Sequence, residues 1–235
     1  QSLILAVGVA LFMGALIGAV NGALVAYPKL PPFIVTLATM ALARGLTLVY
    51  TGGRPILVDH RSYEFIGAGF LGPIPFPVVI MAVLYVVMHI VLKHHKFGRL
   101  VYSIGGNEEA CRLSGINVER IKVGIYTLSG LMAGLTGIVL TSRLISAQPT
   151  AGTGYELDAI AAVILGGTSL AGGQGHIGGT IIGAFIIGVL SNGLNLLNVS
   201  PFYQDVAKGI VILTAVLLDR LLYATGGVQK GVVSS

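Results

Sequence analysis

The chain has 235 residues, 54% of them hydrophobic and only 10% charged, whereas soluble domains carry charge on about a quarter of their positions. Water-exposed surface cannot be built from that mixture, which excludes an ordinary soluble enzyme or binding module and leaves an integral membrane protein. The net charge of +5 does not point to nucleic acid, because its carriers flank apolar runs and form no basic face with interleaved aromatic residues.

A helix needs about 20 mainly apolar residues to cross the hydrocarbon core. In chain order, runs 3–27, 33–51, 74–92, 123–142 and 177–197 meet that length, and a sixth, 203–222, does so with Asp205 and Lys208 in its first turns. Between them, LDAIAAVILGGTSL (157–170) ends in Gly166 and Gly167 and would reach only about 21 Å as a helix. It is expected to be a short tilted crossing or a broken, re-entrant one, which a membrane accepts only where protein or water surrounds the backbone. The fold class expected is all-α, a polytopic transmembrane bundle of about seven crossings in one domain, 1–235. The apolar run begins almost at Gln1 with no basic leader, so the chain is expected to be a piece of a longer membrane protein.

Lysine and arginine bias orients the bundle. The polar stretch 93–122 supplies Lys93, Lys96, Arg99, Arg112, Arg120 and Lys122, and with seven crossings Lys29, Arg220 and Lys230 share its side. Arg54, Arg61 and Arg143 fall opposite. The polar stretch is therefore expected inside the cell. Its lone cysteine, Cys111, is compatible with a reduced compartment.

Small residues recur at the spacing by which helices close together in lipid. Gly14, Gly18 and Gly22 make one stripe, and Gly175, Gly179 and Gly183 make another at the start of a later helix. Each is expected to be a shallow groove for a neighbouring backbone.

Catalytic arrangements are lacking. The chain has no Walker loop, H-E-x-x-H, C-x-x-C or G-x-S-x-G, so it is not expected to be an enzyme or to hold a metal or cofactor of its own. GGTSLAGGQG (166–175) is glycine-rich, but it carries no phosphate-binding lysine and lies between apolar segments. Polar groups within the spans are more informative. Arg44 lies deep in an apolar run and is expected to be paired or to line a pathway. Asn192 and Asn195 share one helix face and would meet another helix or a hydroxylated solute. Glu156 and Asp158 open the short segment, where they would cap its first turn or make contacts on the outer side.

Within the polar stretch, SIGGNEEACRLSGINVERIKV predicts a Gly105-Gly106 turn and then a short helix around Glu108–Ser114. Asn107 would cap its start, Gly115 would end it, and a second helix would resume at Asn117 or shortly after. Such a capped helix between two spans is a rigid knob.

Three long blocks carry a family resemblance: SIGGNEEACRLSGINVERIK, SAQPTAGTGYELDAIAAVILGGTSLAGGQGHIGGT and LSNGLNLLNVSPFYQDVAKGIVILTAVLLDR. With PFIVTLATMALARGLTLVYTGG, the chain resembles over nearly its whole length the membrane permease of bacterial monosaccharide ABC importers, the branched-chain amino acid/ribose-type permease family. That resemblance implies a multi-pass protein of the bacterial inner membrane that pairs with a second copy. It also implies that a periplasmic sugar-binding protein delivers the sugar, and that separate cytoplasmic ABC ATPase subunits, holding ATP and Mg, drive transport. Ribose leads as the sugar, with xylose, galactose or allose as alternatives; an ion-coupled secondary transporter is the rival class. Residues 93–122 would be the cytoplasmic coupling loop, with Glu108, Glu109, Arg112 and Gly115 in ATPase contact. Thr51–Pro73 and Ser142–Tyr155 would contribute to the periplasmic docking surface, although the middle of the first follows the family less well.

Overall fold

The computed structural model describes residues 3–58 and 61–226, and the chain divides into two compact units: residues 1–101 with 108–151, and residues 102–107 with 152–235. Lys230 lies outside the described residues, as do the side chains of Arg61 and Arg220.

Unit 1 is built on four long apolar helices. α1 (Leu3–Ala26) is apolar throughout except for Asn21. α2 (Pro32–Thr51) opens on proline, whose missing N–H costs nothing in a first turn, and closes at Gly52 in the left-handed region. α4 (Phe76–His94) also has proline in its first turn. α7 (Val118–Leu144) is capped by Asn117, whose side chain accepts the Arg120 N–H at 3.0 Å.

α1 and α7 run antiparallel with their backbones almost in contact. A Cβ at Gly14 or Gly18 would strike the carbonyl of Gly130 or Tyr126, and one at Gly22 would stand 2.7 Å from Val123 Cα. The groove expected on α1 exists, and Gly130 answers it from α7. Any larger side chain here would separate the helices and forfeit their dispersion contacts.

The turns of unit 1 hold more structure than their composition suggests. Between α2 and α4 lie β1 (Ile56–Leu57), α3 (Arg61–Ala68) and the hairpin β2 (Phe70–Leu71) to β3 (Ile74–Pro75). β1 pairs antiparallel with β4 (Ser146–Ala147), just beyond α7. The connection from α4 to α7 is also helical, as α5 (Lys96–Gly106) and α6 (Glu108–Leu113). Gly105 and Gly106 therefore end a helix, where the sequence predicts a turn.

Unit 2 contains α8 (Tyr155–Leu165), α9 (Ile177–Leu196) and α10 (Pro201–Gly226). α8 and α9 are antiparallel: Gly166 abuts Gly179, and Ala162 abuts Gly183. Gly175, assigned to the same stripe from its spacing, lies ahead of α9. Ala161, Ala162 and Ile187 form the buried cluster, with Leu165, Val211 and Ile212 packed against it.

The chain is an all-α polytopic membrane bundle, but the crossing count is corrected. Five helices among the described residues, α1, α2, α4, α7 and α9, are long and apolar enough to span a membrane, not about seven. α8 has only 11 residues, about 16 Å of helix, because Gly154 and Gly166 bound it. α10 is long, but its first two turns carry Asp205 and Lys208.

Candidate functional site

The polar stretch folds into an anchored connector. In unit 1, α6 starts with Glu108 and Glu109, where the positive helix end favours carboxylates. It stops at Gly115 (φ 79°), while the Gly115 and Ile116 N–H groups bond back to Arg112 and Cys111 carbonyls at 3.0 and 3.1 Å. Glu108 Oε2 takes the ammonium of Lys122 at 2.7 Å, and its Oε1 takes the Arg112 guanidinium at 3.1 Å. Arg112 Nη2 also reaches Glu119 Oε1 at 3.1 Å. Four charges thus tie the short helix to the beginning of α7. The Lys122 hydrogen bond holds the Glu108 carboxyl below the usual carboxylate range. Beneath the network, Cys111 is buried and Val118 is fully buried.

The sequence assigns Glu108, Glu109, Arg112 and Gly115 to one outward contact, and the structure sorts them. Glu108 and Arg112 are occupied within the chain. Glu109 and Gly115 are exposed, and beside them Leu113 is 81% exposed. A leucine so open at the tip of a clamped knob is the feature that sequence reading missed. Lys122 and Glu119 were missed as well, because nothing in the sequence says that residues 11 to 14 positions beyond Glu108 fold back onto it.

The other part of the connector, residues 102–107, belongs to unit 2. Tyr102 Oη donates to the Gly175 carbonyl at 2.8 Å. A Cβ at Gly105 would stand 2.5 Å from Gly173 N, and Gly172 and Gly173 have φ of 89° and 75°. The glycine-rich loop 166–175 therefore seats the connector's backbone, a close approach that only glycine permits.

At the opposite end of unit 1, the fully buried hydroxyl of Ser142 accepts the Gly67 N–H at 2.6 Å and donates to the Tyr63 carbonyl. Tyr63 Oη donates to the Ile138 carbonyl at 3.1 Å, and burial raises the Tyr63 phenol. Together with the β1–β4 pair, these bonds fasten the segment after α2 to the end of α7. Of the segments that the family resemblance implies for a docking surface, Thr51–Pro73 and Ser142–Tyr155, the structure thus joins Ile56–Leu57, Tyr63 and Gly67 to Ser142–Ala147 within unit 1.

The remaining polar residues have different surroundings. Arg44 is exposed on α2 and makes no ion pair among the described residues. Asn192 is exposed, whereas Asn195 Oδ1 accepts from Gln204 Nε2 at 2.9 Å. Glu156 is exposed and accepts the Gly154 N–H at 3.1 Å, closing the first turn of α8. Asp158 pairs with Lys208 of α10 at 2.9 Å. No group of three or more His, Cys, Asp or Glu that could hold a metal occurs among the described residues.

Residues 1–216 match a family model described as a branched-chain amino acid transport system permease component. The chain belongs to this permease family. The permease is 59% identical over 202 residues to the ribose import permease protein RbsC of Bacillus subtilis, covering 85% of this chain and 63% of that protein. It is 54% identical to the Escherichia coli K12 protein of the same name, covering 92% of this chain and 69% of that one. Against the L-arabinose transport system permease protein AraH of E. coli K12, identity is 41%, covering 86% and 61%. The permease therefore spans roughly two thirds of the length of these relatives. No solved structure matches it. Family and spans together place the permease in the bacterial inner membrane as a multi-pass protein.

Proposed function

We propose that the permease is the membrane subunit of an ATP-driven sugar importer, that it carries ribose, and that it works by alternating access. The observation that carries this reading is the connector: a capped knob clamped by four charges to α7, with Leu113 and Glu109 outward. A soluble engine pressing on that knob would move α7, and the glycine contact would take α1 with it. Transport of this kind needs two alternative packings with different partner affinities, and tight backbone seams favour discrete packings over gradual deformation. The high identity to ribose import permeases supports ribose.

In this reading residues 1–235 act as one permease domain, with 93–122 as its cytoplasmic coupling loop facing an ABC ATPase that holds ATP and Mg. Glu109, Leu113 and Gly115 would touch that ATPase, while Glu108 and Arg112 hold the knob in position. Segments Thr51–Pro73 and Ser142–Tyr155 would contribute to the surface that receives the periplasmic binding protein, and a second permease copy would complete the passage.

Reconstitution with the ATPase and the binding protein, followed by competition among labelled ribose, xylose, galactose and allose, tests the proposal. ATP-dependent uptake with ribose the strongest competitor is expected. The Asp158–Lys208 pair favours the rival reading, an ion-coupled secondary transporter. Uptake that follows an ion gradient without the ATPase would establish that rival.

A further inference from the structure

The Asp158–Lys208 pair joins α8 to α10 in unit 2. α8 and α9 touch where Gly166 meets Gly179 and where Ala162 meets Gly183. Continuing that antiparallel register by one turn sets Asp158 beside Ile187, which shares the buried cluster with Ala161 and Ala162. α9 runs Ile177–Leu196, so Ile187 is at its midpoint. The two charges therefore stand level with the centre of a helix about 30 Å long.

Their exposure is the second observation. The Lys208 and Asp158 side chains remain 22% and 23% accessible, so the pair is not sealed. Lipid is a poor neighbour for charged side chains away from the membrane interfaces. Lys208 does not extend toward an interface, because its ammonium is held 2.9 Å from Asp158 Oδ2. α10 has a separate apolar stripe suited to lipid: Val206, Ile210, Leu213 and Leu217 are all more than half exposed. One turn before Lys208, on its own face, Gln204 is 8% exposed and bonds to Asn195 and to the Val199 carbonyl.

The chemistry of the pair suits a neutral polyol. An ammonium carries three N–H donors and a carboxylate two acceptor oxygens, and their mutual contact uses one of each. Donors and acceptors remain for vicinal hydroxyl groups. Because the two charges cancel, the site offers hydrogen bonds without holding a counter-ion.

We propose that Asp158 and Lys208 face a water-filled cavity at mid-membrane depth and contact the hydroxyl groups of the passing sugar. This rests on the permease reading and adds to it a named contact in the passage.

The test uses the full-length permease in liposomes with its ATPase and binding protein, with Cys111→Ser removing the native thiol. K208C is introduced together with D158N, so that no carboxylate is orphaned. L213C on the apolar stripe is the control. A membrane-impermeant charged methanethiosulfonate should label K208C severalfold faster than L213C, and ribose with loaded binding protein and ATP should slow that labelling. Labelling no faster than L213C would show a sealed pair and overturn the proposal. Labelling that ribose does not slow would overturn the sugar contact, and a disulfide between two K208C copies would place the residue at a subunit seam instead. D158C with K208Q gives the same readouts if the first variant does not insert. Failure of the unsubstituted complex to import any sugar would reject the permease reading separately from this assignment.

Discussion

Lys122, near the start of α7, reaches 2.7 Å across to Glu108 at the start of α6. The charged residue that the sequence offers as a partner contact is thereby part of the knob's anchorage. An exposed pair of this kind contributes only about 0.2–1 kcal/mol to stability, so its importance lies in position. E108K should insert normally, unfold within a few degrees of the parent, and lose most binding-protein-stimulated uptake. E108K/K122E should recover part of it. A double variant as inactive as the single one would mean that Glu108 acts on the partner directly.

The pH dependence follows from the same contact. The Glu108 carboxyl is depressed, chiefly by the Lys122 hydrogen bond. Its stabilisation is therefore fully present above the ordinary carboxylate pKa and is lost as pH falls through the lower folded value. Buried Cys111 reports the loosening. The ratio of its labelling rates in the parent and E108Q follows that loosening. That ratio should stay low from neutral pH to the ordinary carboxylate range and rise toward one below it. A ratio of one at pH 7 would show that the clamp has no effect.

Leu113 separates contact from anchorage. At 81% exposure it contributes little to folding, so L113D should leave Tm and insertion unchanged. Co-purification with the ATPase and coupled ATP turnover should fall at least as far as in E109Q. Full coupled activity in L113D would remove the knob tip from the partner surface.

Glycine positions should differ sharply along one helix pair. A Cβ at Gly18 would strike the Tyr126 carbonyl, whereas one at Gly137 meets nothing within 4 Å. Thermal unfolding in detergent should show G18A destabilised by about 1–3 kcal/mol, the usual cost of overpacking. G137A should be neutral or stabilised by up to about 1 kcal/mol, through helix propensity. Equal effects at the two sites would contradict the α1–α7 seam.

Ser142 holds its end of unit 1 from the inside. S142A leaves the Gly67 N–H without its acceptor, at a cost of about 1–3 kcal/mol for a buried group. Proteolysis within residues 51–75 should accelerate, and binding-protein docking should weaken while the connector keeps its activity. Unaltered cleavage would mean that β1–β4 pairing alone is sufficient.

Much of the bundle was legible in the sequence because a membrane imposes one strong rule. Backbone in lipid must satisfy itself, so long apolar runs read directly as helices, and all five qualifying spans lie where those runs predict. The α1 groove was equally legible, since four-residue spacing puts Gly14, Gly18 and Gly22 on one face whatever the neighbour is. Asn117 as the start of α7 and Gly115 as the end of α6 followed from local capping chemistry. In the polar segments that rule lapses. The short strands have neither length nor a strict period; α5 carries a helical period in Phe97, Leu100, Val101 and Ile104, but it and α3 are short and are held by partners distant in sequence, Tyr102 with Gly175 and Tyr63 with Ile138.

By itself, then, the amino-acid order determined a multi-pass helical membrane protein, its small-residue seam and the location of its polar connector, because hydropathy, spacing and capping act over a few turns. Only tertiary structure decided that Glu108 and Arg112 are engaged within the chain, that α8 is half-length, and that Asp158 meets Lys208. Charges separated by 14 or 50 positions find one another only after the helices have packed.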